Sequence, residues 1–395
     1  MPTRKDLSSM EPMLPPEGER MLEDLAMDLA TKASGLAGQL NPAVRQAVGD
    51  LVRSMNCYYS NLIEGHDTHP RDIAHALSHE NYSADPRKRA LQREAVAHIE
   101  VQRLMDHHQD PPAEPTSVEY LLWLHREFCR RLPEEMLWVE NPDTGQRLPV
   151  VPGALRTGWV RVGRHVPPDA KALPRFLDRF AEVHDPQKGS RIRRVMALGA
   201  AHHRLLWIHP FYDGNGRVAR LMSHASLQRC GVGSSLWSVA RGLARNVEKY
   251  KELLMAADEP RHGDLDGRGA LSTRTLVRFC EFFLTVCLDQ VDFMASLLEP
   301  EGLLRRMRLH VEEETQAGLL PKGSFPVLRE ALLIGEVPRG RAGELTGYGE
   351  RMARGVVSDL LKKGYLKSGT SRAPLVLSFP MDAVERWFPK LYPAT

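Results

Sequence analysis

The sequence predicts a mainly helical protein of more than one domain, with one small β-hairpin inside it and a tail of short elements. Three observations carry this. Apolar residues recur at three- and four-residue steps from Ala43 to Ile63, the mark of a helix with one buried face, and further segments as far as Glu299 read as helix. Gly153, Gly158 and Gly163 cut the stretch Val150–Val166 into short alternating segments, which suits strands of a hairpin. Beyond about residue 306 the segments shorten. A chain of 395 residues is also too long for one ordinary core.

Residues 1–18 are polar and rich in Pro and Glu, and read as a mobile leader. From Leu22 to Gly65 the pattern is helical. One helix is expected from Ala43 through Val48, Leu51, Val52 and Met55 to Leu62 and Ile63, with Gly65 as its stop. Residues 69–130 continue as helix, broken at Pro111–Pro115. Further helices are expected at Pro174–Val183, Arg191–Trp207, Arg217–Arg229, Leu236–Ala257 and Ser272–Glu299. In the tail, Leu328–Ile334, Ala342–Leu345 and Glu350–Lys362 read as three short helices. Tyr365–Lys367, a turn at Ser368–Ala373 and the strand Leu375–Phe379 follow. Three helices and a two-stranded wing resemble a winged helix-turn-helix.

Apolar content of 42%, charged content of 26% and a net charge of +3 are ordinary for a globular protein, and exclude a polyanion binder acting through overall charge. The five cysteines, Cys57, Cys129, Cys230, Cys280 and Cys287, form no CxxC pair, which argues against a disulfide framework or a cysteine zinc site. No secretory leader and no membrane-length apolar run is visible. The expectation is a cytoplasmic protein with no membrane association.

The chemistry concentrates in residues 209–220, HPFYDGNGRVAR. Gly214 and Gly216 flank Asn215 where a helix is expected to begin, so backbone can approach a ligand closely there. Free N–H groups and the helix dipole make such a place an anion site. Arg217 and Arg220, three apart, can share one face, and their planar forks suit phosphate. Asp213 offers a hard oxygen for Mg²⁺. His209 can accept a proton near neutral pH. Taken singly, a Gly-Asn-Gly turn is a turn, the Asp a cap and the His structural. Together in one loop they form a kit for transferring a phosphorus-containing group.

These residues resemble the Fic family motif HxFx(D/E)GNGRxxR, without departure. The likeness spreads outward over most of residues 45–300: Ala200–Ile208 resembles the helix entering the motif, Arg156–Val166 the target-docking flap, and Leu243–Asp258 and Gly263–Ser272 later parts. The resemblance implies a helical bundle with a β-hairpin flap and an enzyme, a protein adenylyltransferase moving AMP from ATP to a Ser, Thr or Tyr hydroxyl of a target protein. His209 would be the base and Asp213 the Mg²⁺ ligand. Gly214, Asn215 and Gly216 would hold the α-phosphate, and Arg217 and Arg220 the β- and γ-phosphates. Tyr250 is a candidate for the adenine pocket, although tyrosines at helical spacing also serve as core.

Ser60, Glu64 and Gly65, in SNLIEG, resemble the family's inhibitory motif (S/T)xxxE(G/N); His66 stands where Asn is frequent. Ser60 and Glu64, four apart, share a helix face. The resemblance implies that Glu64 pairs with Arg220 and restrains transfer, with de-AMPylation by the same glutamate left open. The implied domains are an N-terminal helical region at 1–110 with the inhibitory helix at about 45–65, a catalytic core at 111–305 and the winged helix-turn-helix at 306–395.

Segment 155–166 would dock the target by strand addition. In the tail, Arg351, Arg354, Lys362, Lys363, Lys367 and Arg372 suit phosphate contacts with DNA, diluted by Glu344, Glu350 and Asp359; protein docking is the other use of such a module. Two other readings of the whole stay open: a DNA-binding regulator with a nucleotide-sensing Fic fold, and a transferase with another donor. A homo-oligomer is open as well.

Overall fold

The computed structural model describes residues 5–79, 82–141 and 144–393. The first four residues of the expected leader, positions 80–81 of the expected helical stretch and the last two residues of the tail lie outside them. The chain divides into two compact units. One comprises the residues up to Ala33, Asn56–Ser234 and Ser238–Gln290; the other comprises Ser34–Met55, Ser235–Trp237 and the residues from Val291 on.

The first unit draws on α1 (Arg20–Gly38), α2 (Pro42–Ile63), α3 (Pro70–His79), α4 (Pro86–Asp106) and α5 (Val118–Cys129). Strands β1 (Trp138–Glu140) and β2 (Arg147–Pro149) follow, then α6 (Leu173–Val183), α7 (Arg191–Met196), α8 (Leu198–Ile208), α9 (Asn215–Arg229), α10 (Val239–Arg245), α11 (Val247–Ala256) and α12 (Thr273–Leu298). The division between the units falls within α1, α2 and α12.

At the centre of the first unit is α8, buried on nearly every side as its Ala- and Leu-rich sequence requires. It lies against α6 and α9, and α5 against α9. Leu124 and Phe128, Phe176 and Phe180, Leu205 and Ile208, and Leu221 and Met222 fill the space between. Each such side chain contributes about 1.5–3 kcal/mol by leaving water, so the two helices that bracket the 209–220 loop are firmly seated.

Three expectations need correction. The leader is packed where it is described: Met10 and Met13 are fully buried, and Glu11 pairs with Arg179 at 2.8 Å. The Pro12 carbonyl accepts from Arg204 Nε and Nη2 at 2.9 and 2.8 Å. A proline-rich stretch leaves its carbonyls free of secondary structure, and buried Arg204 needs acceptors. Second, the hairpin lies upstream of 150–166: β1 pairs antiparallel with β2, Val139 opposite Leu148, whereas 155–166 retains one isolated bridge, Val162–His165. There the main chain is committed elsewhere, Arg156 N–H donating to the Pro210 carbonyl. Third, two expected long helices are each split. The break at Asn246, between α10 and α11, has a cause in the side chain, whose amide donates to the Gly242 carbonyl at 2.9 Å and competes with the helix ladder.

The second unit contains α13 (Pro300–Gln316), α14 (Ser324–Ile334), β3 (Glu336–Val337), α15 (Ala342–Thr346), α16 (Glu350–Lys362), β4 (Leu366–Lys367), β5 (Leu375–Leu377) and α17 (Met381–Trp387). Its antiparallel sheet has the order β3-β5-β4, Val337 opposite Leu375 and Leu366 opposite Leu377. Strand β3 and helix α17 were not expected. Two residues cannot display an alternation, and α17 becomes visible only where Trp387 buries itself against α13. Among the described residues no helix is long and apolar enough to cross a membrane.

Candidate active site

The loop between α8 and α9 begins with a residue in an unfavourable conformation. His209 caps α8 with φ 49° and ψ 64°, the left-handed region that glycine usually supplies. Pro210 stops the helix by disfavouring another right-handed turn before it. The conformation costs on the order of 1–3 kcal/mol and persists only where neighbours over-determine it. Arg156 does this. Its Nε donates to the His209 carbonyl at 2.8 Å, Nη1 to Gly158 O at 2.9 Å and Nη2 to Pro168 O at 2.6 Å. This buried guanidinium thus ties the loop to segment 156–168 by main-chain acceptors alone.

The His209 ring is kept neutral. Burial above all, with Arg156 and His165 nearby, lowers its pKa to about 4, against an opposing hydrogen bond to the Leu206 backbone. A neutral imidazole keeps one ring nitrogen able to accept an incoming proton.

Asn215 holds the middle of the loop to itself. Its side-chain oxygen accepts from Phe211 N–H at 3.0 Å and its amide donates to Phe211 O at 2.9 Å. Phe211 stacks on His125 with ring centroids 3.9 Å apart. Gly214, at φ 79°, turns the chain into α9, whose first turn has no side-chain cap. Those N–H groups make the helix start an anion site. The Asp213 carboxylate reaches the surface. The protein around it and the Glu64 charge push its pKa up, while Gly214 N–H opposes.

The two motif arginines are buried, and each faces an acid. Arg220 Nε donates to Ser60 Oγ at 2.8 Å, and its Nη2 to Ser60 O at 3.2 Å and to Glu64 Oε1 at 2.5 Å. Burial opposes the Glu64 charge, but Arg220 and Arg217 outweigh it and hold the carboxyl below its usual range. Glu64 crowds the loop: a Cβ on Gly216 would meet the end of the Glu64 side chain, which would have to shift to make room. Arg217 Nη2 pairs with Glu94 Oε1 and approaches His66 Nδ1 at 3.1 Å, and His66 Nδ1 meets Glu94 Oε2 at 2.8 Å. Removing one partner of a buried ion pair costs about 3–5 kcal/mol, so Glu94 is a required counterion.

The structure therefore brings together Ser60, Glu64, Asp213, Gly214, Asn215, Gly216, Arg217 and Arg220, with His209 at the loop's other end. Gly65 sits just past α2 at φ 82°. Tyr250 lies in the core: it is buried, and its hydroxyl bonds His202 Nε2 at 2.8 Å. His202 Nδ1 in turn meets Ser223 Oγ at 2.8 Å, and His203 faces Asp258 at 3.2 Å, so neither histidine points to a metal role. Sequence reasoning passed over Arg156 as a support for the loop, and Glu94 altogether. A lone acid in the helical pattern of α4 carries no local signal.

A model of the Fic/DOC family matches residues 115–227, the stretch that holds α5, α6, α8 and the whole loop. Residues 115–227 thus carry a Fic/DOC family domain. The chain is 39% identical over 185 residues to the protein adenylyltransferase Fic of Drosophila willistoni, covering 47% of this chain and 33% of that protein. The relative from Drosophila virilis is 39% identical over 200 residues, covering 50% and 38%. The chain spans about a third of the length of those relatives. In fold it is similar to a Fic family protein from Desulfovibrio desulfuricans, with a TM-score of 0.54 at 17% identity, covering 92% of this chain and 98% of that one. Fic-1 from C. elegans follows with 0.51 at 16%, covering 71% and 74%.

Proposed function

We propose that the protein is an auto-inhibited adenylyltransferase that moves AMP from ATP to a hydroxyl of a target protein, from a cytoplasmic location. The observation that carries this reading is the pairing of an intact loop, neutral base at one end and uncapped helix start at the other, with the capture of Arg220 by Ser60 and Glu64. In this reading His209 takes the proton of the incoming Ser, Thr or Tyr hydroxyl. The oxygen attacks the α-phosphorus, the bond to pyrophosphate breaks, and AMP stays on the target. N–H groups at the start of α9 stabilise charge on the α-phosphate, and Arg217 and Arg220 hold the remaining phosphates. Glu64 denies Arg220 to the nucleotide.

Among the described residues no group of three or more His, Cys, Asp or Glu could hold a metal by itself. A single carboxylate such as Asp213 fits Mg²⁺, which is commonly bound by one or two carboxylates together with substrate phosphates. The ion would supply charge stabilisation at the phosphates.

Incubation of wild type, Glu64→Gly and Glu64→Gly/His209→Ala with α-labelled ATP and Mg²⁺ tests the reading. Label on Glu64→Gly alone is expected. No label on any of them, with ATP binding measured separately, points to another donor or a sensing role. For the second unit we propose a winged helix, supported by the exposure of Arg351, Arg354, Lys362 and Lys363 on or beside α16. Removal of residues 310–395 should abolish any DNA binding while leaving transfer intact.

A further inference from the structure

Arg217 and Arg220 leave α9 one turn apart, yet their acids hold them in different ways. Arg220 spends both Nε and Nη2 on Ser60 and Glu64. Arg217 gives only Nη2 to Glu94, and its Nε, although buried, has no hydrogen-bond partner. A buried N–H without an acceptor is costly and calls for an explanation. The acids differ too. The Glu64 side chain is 32% exposed and sits past the end of α2, beside a glycine. Glu94 is 4% exposed, lies inside α4, and has both oxygens engaged, one by Arg217 and the other by His66. A carboxylate fixed on both sides in a helix interior does not move aside easily.

We propose that Glu94 is a positioning residue for transfer. It grips the Nη2 corner of Arg217 and presents the unpartnered Nε–H edge to a phosphate of the nucleotide. Glu64 takes Arg220 away from that nucleotide, whereas Glu94 holds Arg217 ready for it. The two acids that face the two motif arginines thus act in opposite senses. This inference rests on the reading of the loop as a nucleotide phosphate site.

The test is made in the Glu64→Gly background, adding Glu94→Gln, which keeps shape and loses charge, or Glu94→Asp, which keeps charge. Steady-state transfer, ATP dissociation constants by calorimetry and melting temperatures are read for each. Glu94→Gln is expected to lower kcat by about ten- to a hundredfold, as misplacement of a reacting group does. The ATP dissociation constant should rise less than kcat falls, and Glu94→Asp should recover part of the loss. A rise in transfer on Glu94→Gln would make Glu94 a second brake and overturn the proposal. So would an unchanged kcat with a lowered melting temperature, the mark of a counterion that only stabilises the fold. If Glu64→Gly transfers no AMP to any acceptor, the proposed activity fails by itself. Calorimetry then decides on Glu94: weaker ATP binding in Glu94→Gln supports the proposal, and equal binding overturns it.

Discussion

The two ends of the 209–220 loop are secured by different chemistry. At the His209 end, Arg156 donates to three backbone carbonyls. These bonds go to main-chain acceptors and need no titrating partner. At the arginine end the hold is ionic, from Glu64 just past α2 and Glu94 within α4, both distant in sequence. The base end is therefore built once and left alone. The anion end is built from charges that a phosphate can contest, and that is where regulation can act.

The largest way to break this contrast is at the base. His209→Ala in the Glu64→Gly background should lower transfer by about 10²–10⁴-fold, the usual worth of a general base, with the melting temperature little changed. A residual rate near that of the parent would remove His209 from the chemistry. Next comes its support. Arg156→Lys retains the charge but cannot reach three carbonyls, so transfer should fall by about 10²-fold through misplacement of His209. Equal rates in Arg156→Lys and parent would show that the left-handed turn stands without help. At the other end, Glu64→Gly alone should raise transfer at least about tenfold, since Arg220 is freed from a charge-assisted bond; labelled AMP on the protein reads it.

Acid should separate the ends less sharply. Burial lowers the pKa of His209 to about 4 and those of His98, His184 and His202 to about 3. Between their unfolded values near 6.5 and these, the unfolded chain binds more protons. Stability should therefore fall as pH drops from about 6.5 towards 4. Urea midpoints at pH 7.5, 6 and 5 that do not decline would contradict this. The smallest effect concerns the proposed brake. Glu64 titrates below its usual range, so its pair with Arg220 is present above that range and lost only as pH falls through the lowered value. The ratio of wild-type to Glu64→Gly transfer should stay constant from pH 6 to 8; a drift there would place a second titrating group in the brake.

Much of this was legible in the chain, because the signals are local. Helix α2 and its stop at Gly65 follow from apolar spacing and one glycine, and α9 from the pattern after Gly216. The loop's parts list is contiguous, and so is the pair Ser60 and Glu64. The rest depended on residues that only folding brings together. That the leader is held by Met10, Met13 and the carbonyls taken by Arg204 could not be read, since Arg204 lies far along the chain. Nor could the shift of the hairpin to β1 and β2, because glycine spacing marks turns but not which segments pair. By itself the sequence determined the helices, the loop and the chemistry its side chains can perform, all set by near neighbours. Tertiary structure alone decided that Arg156 holds His209 in its turn and which acid meets which arginine: a buried charge must find its partner wherever the packed chain brings one within reach.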